Sequence, residues 1–294
     1  GSGDDSINIG AISATDTVVG GAGTDTLITA AVVTAANAAG VSGIEAVSIV
    51  NAAAGGAITQ AAGAFIVDTY SIGDTNNQNV TLSGLTDEAV SFVATSTGTD
   101  TLTLAADTVA DSGTFNIGAS AAGVTITAIS AANYETLTIN SSGGANTITT
   151  LTANDITSLT VTGSTALTIT NAIASATGLA TIDASTMTKA VSINASNSTG
   201  AVTFTGGSGG DTITSGAGND TLTGGSGNDT LTAGNGTNTI TGGAGDNTLT
   251  GGTGIDTITS GDGADTIDSG AGNDTITSGG GNDTLTFDTD ADLN

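Results

Sequence analysis

The sequence predicts an all-β protein: a right-handed parallel β-solenoid that narrows along the chain. Two observations indicate this class. Short β-branched runs recur through most of the 294 residues, and from Gly206 onward the chain repeats every nine residues without an insertion. β-Branched residues favour strands, and repeats of this length are typical of solenoids. We expect about twenty residues per coil in a wide, Thr-rich part, residues 45–205, and two nonapeptides per coil in a narrow part, residues 206–286.

Nine consecutive nonapeptides make up residues 206–286. Each has glycine at positions two and four, Asp or Asn at position six, and Ile or Leu at position eight. The Gly-x-Gly half needs backbone angles that only glycine adopts easily, which predicts a turn. The Thr-Ile-Thr or Thr-Leu-Thr half predicts a short strand with one apolar side chain pointing inward. Two turns and two strands complete a coil, so repeats i and i+2 lie on the same side.

The residues at position six are candidate ligands of a hard divalent cation. Stacked coils place their side chains beside one another with glycine carbonyl groups between them, and calcium accepts such mixed oxygen ligands. The candidate side chains are Asp211, Asp220, Asp229, Asn238, Asn247, Asp256, Asp265, Asp274 and Asp283. The candidate glycines are Gly207, Gly209, Gly216, Gly218, Gly225, Gly227, Gly252, Gly254, Gly261, Gly263, Gly270, Gly272, Gly279 and Gly281.

Two adjacent repeats have an amide in place of the carboxylate at position six. Asn238 and Asn247 keep an oxygen ligand but bring no charge, so we expect weaker sites in the i, i+2 pairs that include them. Three pairs keep two carboxylates: Asp211 with Asp229, Asp256 with Asp274, and Asp265 with Asp283.

Weaker copies of the motif occur near the start of the chain. Residues 1–7 and 20–27 fit the nonapeptide and add Asp5 and Asp25 to the candidate metal ligands. We divide the chain into partial repeats at 1–28, a connector at 29–44, the wide solenoid at 45–205, the narrow roll at 206–286 and an acidic tail at 287–294. The Ala-rich segment 34–39 is where we expect a short helix. For residues 30–130, an irregular loop or an antiparallel sandwich remains an alternative.

Composition excludes several classes of function. Twenty-eight acidic residues face one basic residue, Lys189, which gives a formal charge of −27. A nucleic-acid partner is excluded because phosphates need Lys and Arg, and a compact fold with this charge needs counter-cations. The absence of Cys and His excludes disulfides, zinc sites and nucleophilic triads. The chain has no apolar run long enough to enter a membrane.

An enzyme is not expected. A polysaccharide lyase is the serious alternative for a parallel solenoid, but it needs cationic groups against its acidic substrate, and Lys189 is the only one present. The pair Asp87-Glu88 has the residue types of a glycosidase dyad, although adjacent acids in a loop are usually a solvated turn.

The nonapeptide Gly-Gly-Ser-Gly-Asn-Asp-Thr-Leu-Thr at 224–232 and its neighbours resemble the RTX family of secreted calcium-binding proteins. With the segment Gly-Ile-Glu-Ala-Val-Ser-Ile at 43–49 and Thr-rich rungs such as 158–163, the chain is similar to the lattice-forming region of Caulobacter-type bacterial surface-layer proteins. The resemblance implies a β-roll with several Ca²⁺ ions, type I secretion to the bacterial cell surface, and calcium-dependent self-assembly into a lattice.

Two other functions are compatible with the same repeats. One is an RTX adhesin or biofilm-matrix stalk, and the other is the calcium-binding module of a secreted enzyme. The family resemblance also implies a cell-surface polysaccharide as a partner, through regions outside this chain.

Overall fold

The computed structural model describes residues 1–9, 15–29, 41–42, 44–50, 58–61, 69–73, 80–85, 89–93, 96–104, 111–118, 123–174 and 178–287. These residues contain β-strands and no helix, and the strands pair in parallel, which confirms the predicted parallel β-solenoid. The short helix expected at 34–39 lies outside the described residues. The chain forms two compact units, Gly1–Ala153 and Asn154–Asn294. None of the described segments is a helix long and apolar enough to cross a membrane.

The first unit holds strands β1 to β14. Their bounds are β1 Ser6–Ile9, β2 Val18–Val19, β3 Thr26–Thr29, β4 Val41–Ser42, β5 Ala46–Val50, β6 Ile58–Ala61, β7 Thr69–Gly73, β8 Val80–Leu85, β9 Ala89–Phe92, β10 Ser96–Leu104, β11 Ser112–Ile117, β12 Thr125–Ala132, β13 Thr136–Ser141 and β14 Asn146–Thr152.

The strands of the first unit stack into parallel sheets. The odd-numbered strands from β5 to β13, preceded by β1 and β3, form one sheet; the even-numbered strands from β6 to β14 form another, and β2 pairs with β4. Ser6 pairs with Thr26, 20 residues on, and Ser112 pairs with Thr136, 24 residues on. Parallel pairing through β5–β12 rules out an antiparallel sandwich for the described part of residues 30–130.

Aromatic side chains fill part of the core of the first unit. Phe92, Phe115 and Tyr134 are almost fully buried. The Phe92 and Phe115 ring centroids are 6.0 Å apart and those of Phe115 and Tyr134 are 5.9 Å apart, both in edge-to-face geometry, which is the favourable arrangement of aromatic quadrupoles. Glycine at position 113 leaves room for the Tyr134 ring, because a Cβ on residue 113 would overlap that ring.

The second unit holds strands β15 to β28. Their bounds are β15 Ser158–Gly163, β16 Leu167–Ile169, β17 Thr181–Asp183, β18 Val191–Asn194, β19 Thr203–Thr205, β20 Thr212–Thr214, β21 Thr221–Ser226, β22 Thr230–Asn235, β23 Thr239–Ala244, β24 Thr248–Thr253, β25 Thr257–Asp262, β26 Thr266–Ala271, β27 Thr275–Thr277 and β28 Thr284–Thr286.

The coils of the second unit shorten toward its carboxyl end. The odd-numbered strands form one parallel sheet and the even-numbered strands the other. Leu167 of β16 pairs with Val191 of β18, 24 residues on, whereas each Thr at position seven of the roll pairs with the Thr 18 residues on, as Thr230 does with Thr248. The change to 18 residues per coil coincides with the start of the nonapeptides.

The core of the narrow roll consists of the residues at position eight. In the first seven repeats one Ile or Leu lies between the two sheets, and its neighbours on either side point outward, as the twofold period of a strand requires; in the last two repeats Ile276 is half-buried and Leu285 is 37% exposed. Seven of these side chains have no exposed surface: Ile213, Leu222, Leu231, Ile240, Leu249, Ile258 and Ile267. Because each repeat buries at most one such side chain, the roll depends on further interactions at its turns.

Candidate metal centre

A ladder of hydrogen bonds joins the position-six residues of successive coils. The Oδ1 atom of each accepts a hydrogen bond from the backbone N–H of the position-six residue one coil earlier, as between Asp229 and Asp211 at 2.7 Å. The remaining donor–acceptor pairs are Asp220–Asn238, Asp229–Asn247, Asn238–Asp256, Asn247–Asp265, Asp256–Asp274 and Asp265–Asp283, at 2.8–3.1 Å. Asp211 and Asp220 accept from Val191 and Val202. The ladder holds each side chain over the turn of its own repeat.

The second carboxylate oxygen is the unusual feature of these turns. Oδ2 is buried and has no hydrogen-bond partner in Asp220, Asp229, Asp256, Asp265 and Asp274. An ionised oxygen in this state is costly unless a positive charge lies beside it. Since Lys189 is the only basic residue of the chain, that charge has to come from a cation.

Backbone carbonyl groups surround the same place. The Asp229 Oδ2 atom and the Gly242 carbonyl oxygen both lie close to Gly224, where a Cβ would overlap each of them, and Gly251 is flanked in the same way by Asp256 Oδ2 and the Ser269 carbonyl oxygen. Among the described residues no three acidic side chains converge on one point. The ligand set is therefore carboxylate plus backbone carbonyl, which suits the irregular oxygen coordination of Ca²⁺.

The glycines at positions two and four allow the coils to approach. Gly252 and Gly254 have φ values of 117° and 125°, and a Cβ at either would overlap the backbone of the preceding coil. Positive φ also occurs at the predicted Gly218, Gly225, Gly227, Gly261, Gly263, Gly270, Gly272, Gly279 and Gly281.

Three predicted turn glycines differ from the rest. Gly207, Gly209 and Gly216 do not have positive φ, so the expectation of glycine-only angles is wrong for them. Glycine is required there only because there is no room for a side chain. A Cβ on Gly207 would overlap the Met187 carbonyl oxygen, and a Cβ on Gly216 would overlap the Ser198 carbonyl oxygen. These turns stack on the wider coils, whose turns have another shape.

Burial changes the acidity of the ligand carboxyls. It raises the pKa of Asp229 to about 6, against the hydrogen bond from the Asp211 N–H, and the nearby Asp211 carboxylate raises it further. Burial likewise raises the pKa of Asp211 and Asp256. Without a cation, these three carboxyls therefore bind a proton at higher pH than an exposed Asp does.

Two of the three predicted ligands outside the central repeats, Asp283 and Asp5, lie in less enclosed places. Asp283 is half-buried and accepts from the Asp265 N–H at 3.1 Å. The Asp5 side chain is 46% exposed, and its Oδ2 lies 3.1 Å from the N-terminal nitrogen. Asp25, by contrast, has no exposed surface, and its Oδ2 has no hydrogen-bond partner. Asp25 therefore has the features of the position-six residues of the roll.

Sequence reasoning missed the continuation of the ladder into the wide coils. Glu45 Oε2 accepts from the Asp25 N–H at 2.8 Å, and Glu135 Oε2 accepts from the Asp111 N–H at 2.8 Å. Asn146 Oδ1 accepts from the Val124 N–H at 2.7 Å. The common signal is an acid immediately before a strand, as at Glu45 and Glu135, or an amide at its first residue, as at Asn146.

A second ladder at position five was also missed. Asn219 and Asn228 accept hydrogen bonds from the N–H groups of Thr237 and Asp246 in the following coil, both at 2.9 Å. Asp246 accepts from the Ala264 N–H at 2.7 Å. Asp246 is exposed, as expected for a residue off the ligand position, but it also clamps the adjacent coil.

These features define a parallel β-solenoid with a column of cation-binding turns along each side of its narrow part. The model of the RTX calcium-binding nonapeptide repeat matches residues 205–240, 223–258, 241–276 and 259–293, and also 13–31. The repeat region of the chain belongs to this family, and several Ca²⁺ ions bind across its repeats. RTX repeats are typical of secreted extracellular bacterial proteins. No curated protein matches the chain significantly.

Proposed function

We propose that this chain is a calcium-dependent extracellular structural protein that assembles into a surface-layer scaffold. The observation that carries the proposal is the character of the two sheet faces of the roll. Their exposed residues at position seven are all Thr, stacked in register in two columns. The columns are Thr221, Thr239, Thr257 and Thr275, and Thr212, Thr230, Thr248, Thr266 and Thr284.

The distribution of charge favours association through these faces. The position-six carboxylates lie inside the turns, where Ca²⁺ cancels their charge, and position nine adds only Asp268 to the faces of the roll. A chain of charge −27 repels its copies until cations neutralise it. Calcium thus folds the roll and permits neutral Thr faces to meet, whereas the exposed Asp262 and Asp268 offer bridging carboxylates at the margins. The acidic residues 288, 290 and 292 lie outside the described residues.

Catalysis is not part of this proposal. The chain has no His or Cys to serve as a base or nucleophile, and its buried carboxylates are engaged in the ladder. Secretion by a type I pathway and a cell-surface polysaccharide partner are expectations from the family resemblance, and they concern regions beyond the turns and faces described here.

A calcium titration followed by light scattering and negative-stain imaging tests the proposal. We expect ordered arrays in calcium and none in EGTA. Thr239→Lys with Thr257→Lys should block the arrays by placing charge on one face, while Thr237→Lys, at an exposed turn, should leave them intact. A folded chain that stays monomeric at millimolar calcium would overturn the surface-layer proposal and favour an adhesin stalk.

A further inference from the structure

Both position-six residues of one coil are amides. Asn238 precedes β23 and Asn247 precedes β24, so each lies at one of the two turns of a single coil, residues 233–250. Both side chains are 1% exposed. The coils before and after this one have Asp at both turns. The substitution therefore affects both columns of turns at the same level of the roll.

The orientation of each amide is fixed by the ladder. The Asp220 N–H donates to Asn238 Oδ1 at 2.9 Å, and the Asp229 N–H donates to Asn247 Oδ1 at 3.0 Å. Because a backbone N–H has to face an acceptor, the amide oxygen occupies the Oδ1 position. The NH₂ group is consequently left at the place where an Asp has Oδ2.

At that place the amide NH₂ group donates hydrogen bonds to backbone carbonyl oxygens, whereas a carboxylate oxygen has no hydrogen-bond partner. Asn247 Nδ2 donates to the Gly245 carbonyl oxygen at 3.0 Å and reaches the Ser260 carbonyl oxygen at 3.4 Å. Asn238 Nδ2 makes a longer contact of 3.5 Å with the Gly236 carbonyl oxygen. The equivalent oxygens of Asp229 and Asp256 have no hydrogen-bond partner.

The difference is one of donors and acceptors. In an Asp turn, the carboxylate Oδ2 and the carbonyl oxygen of the next coil at position one both lie close to the position-one glycine, as Asp229 Oδ2 and the Gly242 carbonyl oxygen do around Gly224. Two acceptors cannot hydrogen-bond to each other, whereas one cation can bind both. Around Gly242, the neighbours are Asn247 Nδ2 and the Ser260 carbonyl oxygen, a donor and an acceptor that need nothing between them.

We propose that the amides of Asn238 and Asn247 take the place of calcium, so that two consecutive positions of the array, one on each side of the roll, hold no metal. The calcium ions then form two separate groups. The first includes Asp220 and Asp229, and the second includes Asp256 and Asp265. The proposal concerns calcium occupancy alone and stands whether or not the chain assembles.

Counting bound ions tests this directly. Native mass spectrometry and calorimetric titration of the full chain with CaCl₂ should show one additional ion for each carboxylate restored in Asn238→Asp and Asn247→Asp. Asn247→Ala should leave the number of ions unchanged, because no ion is lost with the amide. Asn219→Asp with Asn228→Asp is the matched control: it adds equal charge at position five of nearby turns and should add no high-affinity ion.

Each alternative gives a different count. If Asn247 ligates calcium through its oxygen, Asn247→Ala loses an ion, which overturns the proposal. An unchanged count in the Asn→Asp variants also overturns it, as does an equal gain in the position-five control. Circular dichroism in excess calcium accompanies each titration; an Asn→Asp variant that stays unfolded there contradicts the proposal, since a restored carboxylate should bind calcium as its neighbours do.

Discussion

The carboxylate of Asp229 is bound on one side only: Oδ1 accepts the Asp211 N–H at 2.7 Å, while Oδ2 is buried without a partner. One side chain thus has two tasks. Its first oxygen joins two coils by a charge-assisted hydrogen bond, and its second oxygen is left for a metal ion. Without calcium, the folded ladder would hold uncompensated buried charge, which is the basis of the predictions that follow.

Chelation should unfold residues 206–286 while part of residues 45–200 keeps its β-structure. The roll buries at most one Ile or Leu side chain per repeat and has orphaned carboxylate oxygens, whereas the wide coils bury aromatic residues such as Phe115 and Tyr134. Hydrogen exchange and circular dichroism with calcium and with EGTA measure this. Identical spectra in the two conditions would refute calcium-dependent folding.

Asp229→Ala should weaken calcium binding more than Asp246→Ala. Asp229 has a buried orphan oxygen, while Asp246 is exposed and only accepts the Ala264 N–H. We expect Asp246→Ala to cost about 0.5–1.5 kcal/mol of stability, the value of one hydrogen bond, with calcium affinity retained. Calorimetric titration compares the two, and equal losses of affinity would show that the ligand position is wrongly placed.

Ile258→Ala should lower the free energy of unfolding of the calcium-bound roll by about 2–5 kcal/mol, because it empties part of a narrow core. Ile255, three residues earlier, is 55% exposed and is the control: Ile255→Ala should change stability by less than about 0.5 kcal/mol. Urea unfolding at constant calcium measures both. Equal effects would contradict the inward orientation of position eight.

Low pH should partly restore the stability that the roll loses without calcium, because protonation neutralises a buried carboxylate. The folded-state pKa of Asp229 is about 6, above the value of an exposed Asp of about 3.9, so the calcium-free fold binds more protons than the unfolded chain between these values. Its stability is then greatest below about pH 4 and falls as pH rises through 6. With calcium present, affinity should fall as pH drops through 6, since the proton competes with the ion.

Thermal unfolding in EGTA and calorimetry in calcium, both from about pH 4 to 7, test these opposite trends. Asp229→Asn is the control, because it keeps the acceptor of the Asp211 N–H but removes the titrating group. A calcium-free roll that becomes more stable between pH 5 and 7 would contradict the prediction.

The roll could be predicted from sequence because each local signal agrees with the others. The nine-residue period sets the register, the single apolar residue such as Leu231 sets the core, and glycines such as Gly252 set the turns. The wide coils gave weaker signals. Outside the roll, the number of residues from one strand to its paired strand varies, because longer turns tolerate insertions. Ser6 pairs with Thr26, 20 residues on, whereas Ser112 pairs with Thr136, 24 residues on.

The long-range partners of single polar residues could not be predicted. Nothing in the local sequence of Glu45 or Glu135 shows that the backbone N–H of a residue 20 or 24 positions earlier faces its carboxylate. The sequence shows that Asn247 lacks the charge of the Asp at this position in other repeats. It does not show that the Asn247 NH₂ group donates to the Gly245 carbonyl oxygen, because that bond depends on the amide orientation imposed by the Asp229 N–H.

The ladder also has a direction. In every bond of the position-six ladder the N–H comes from the earlier coil and the acceptor from the later one, as from Asp256 to Asp274; the position-five ladder runs the opposite way, as from Ala264 to Asp246. A cut between two coils is therefore asymmetric: the upstream piece keeps backbone donors that have lost their acceptors, while the downstream piece keeps carboxylates with both oxygens free. Shortening the roll from one end or from the other is not equivalent, and growth of the fold onto an existing coil proceeds through different chemistry in the two directions.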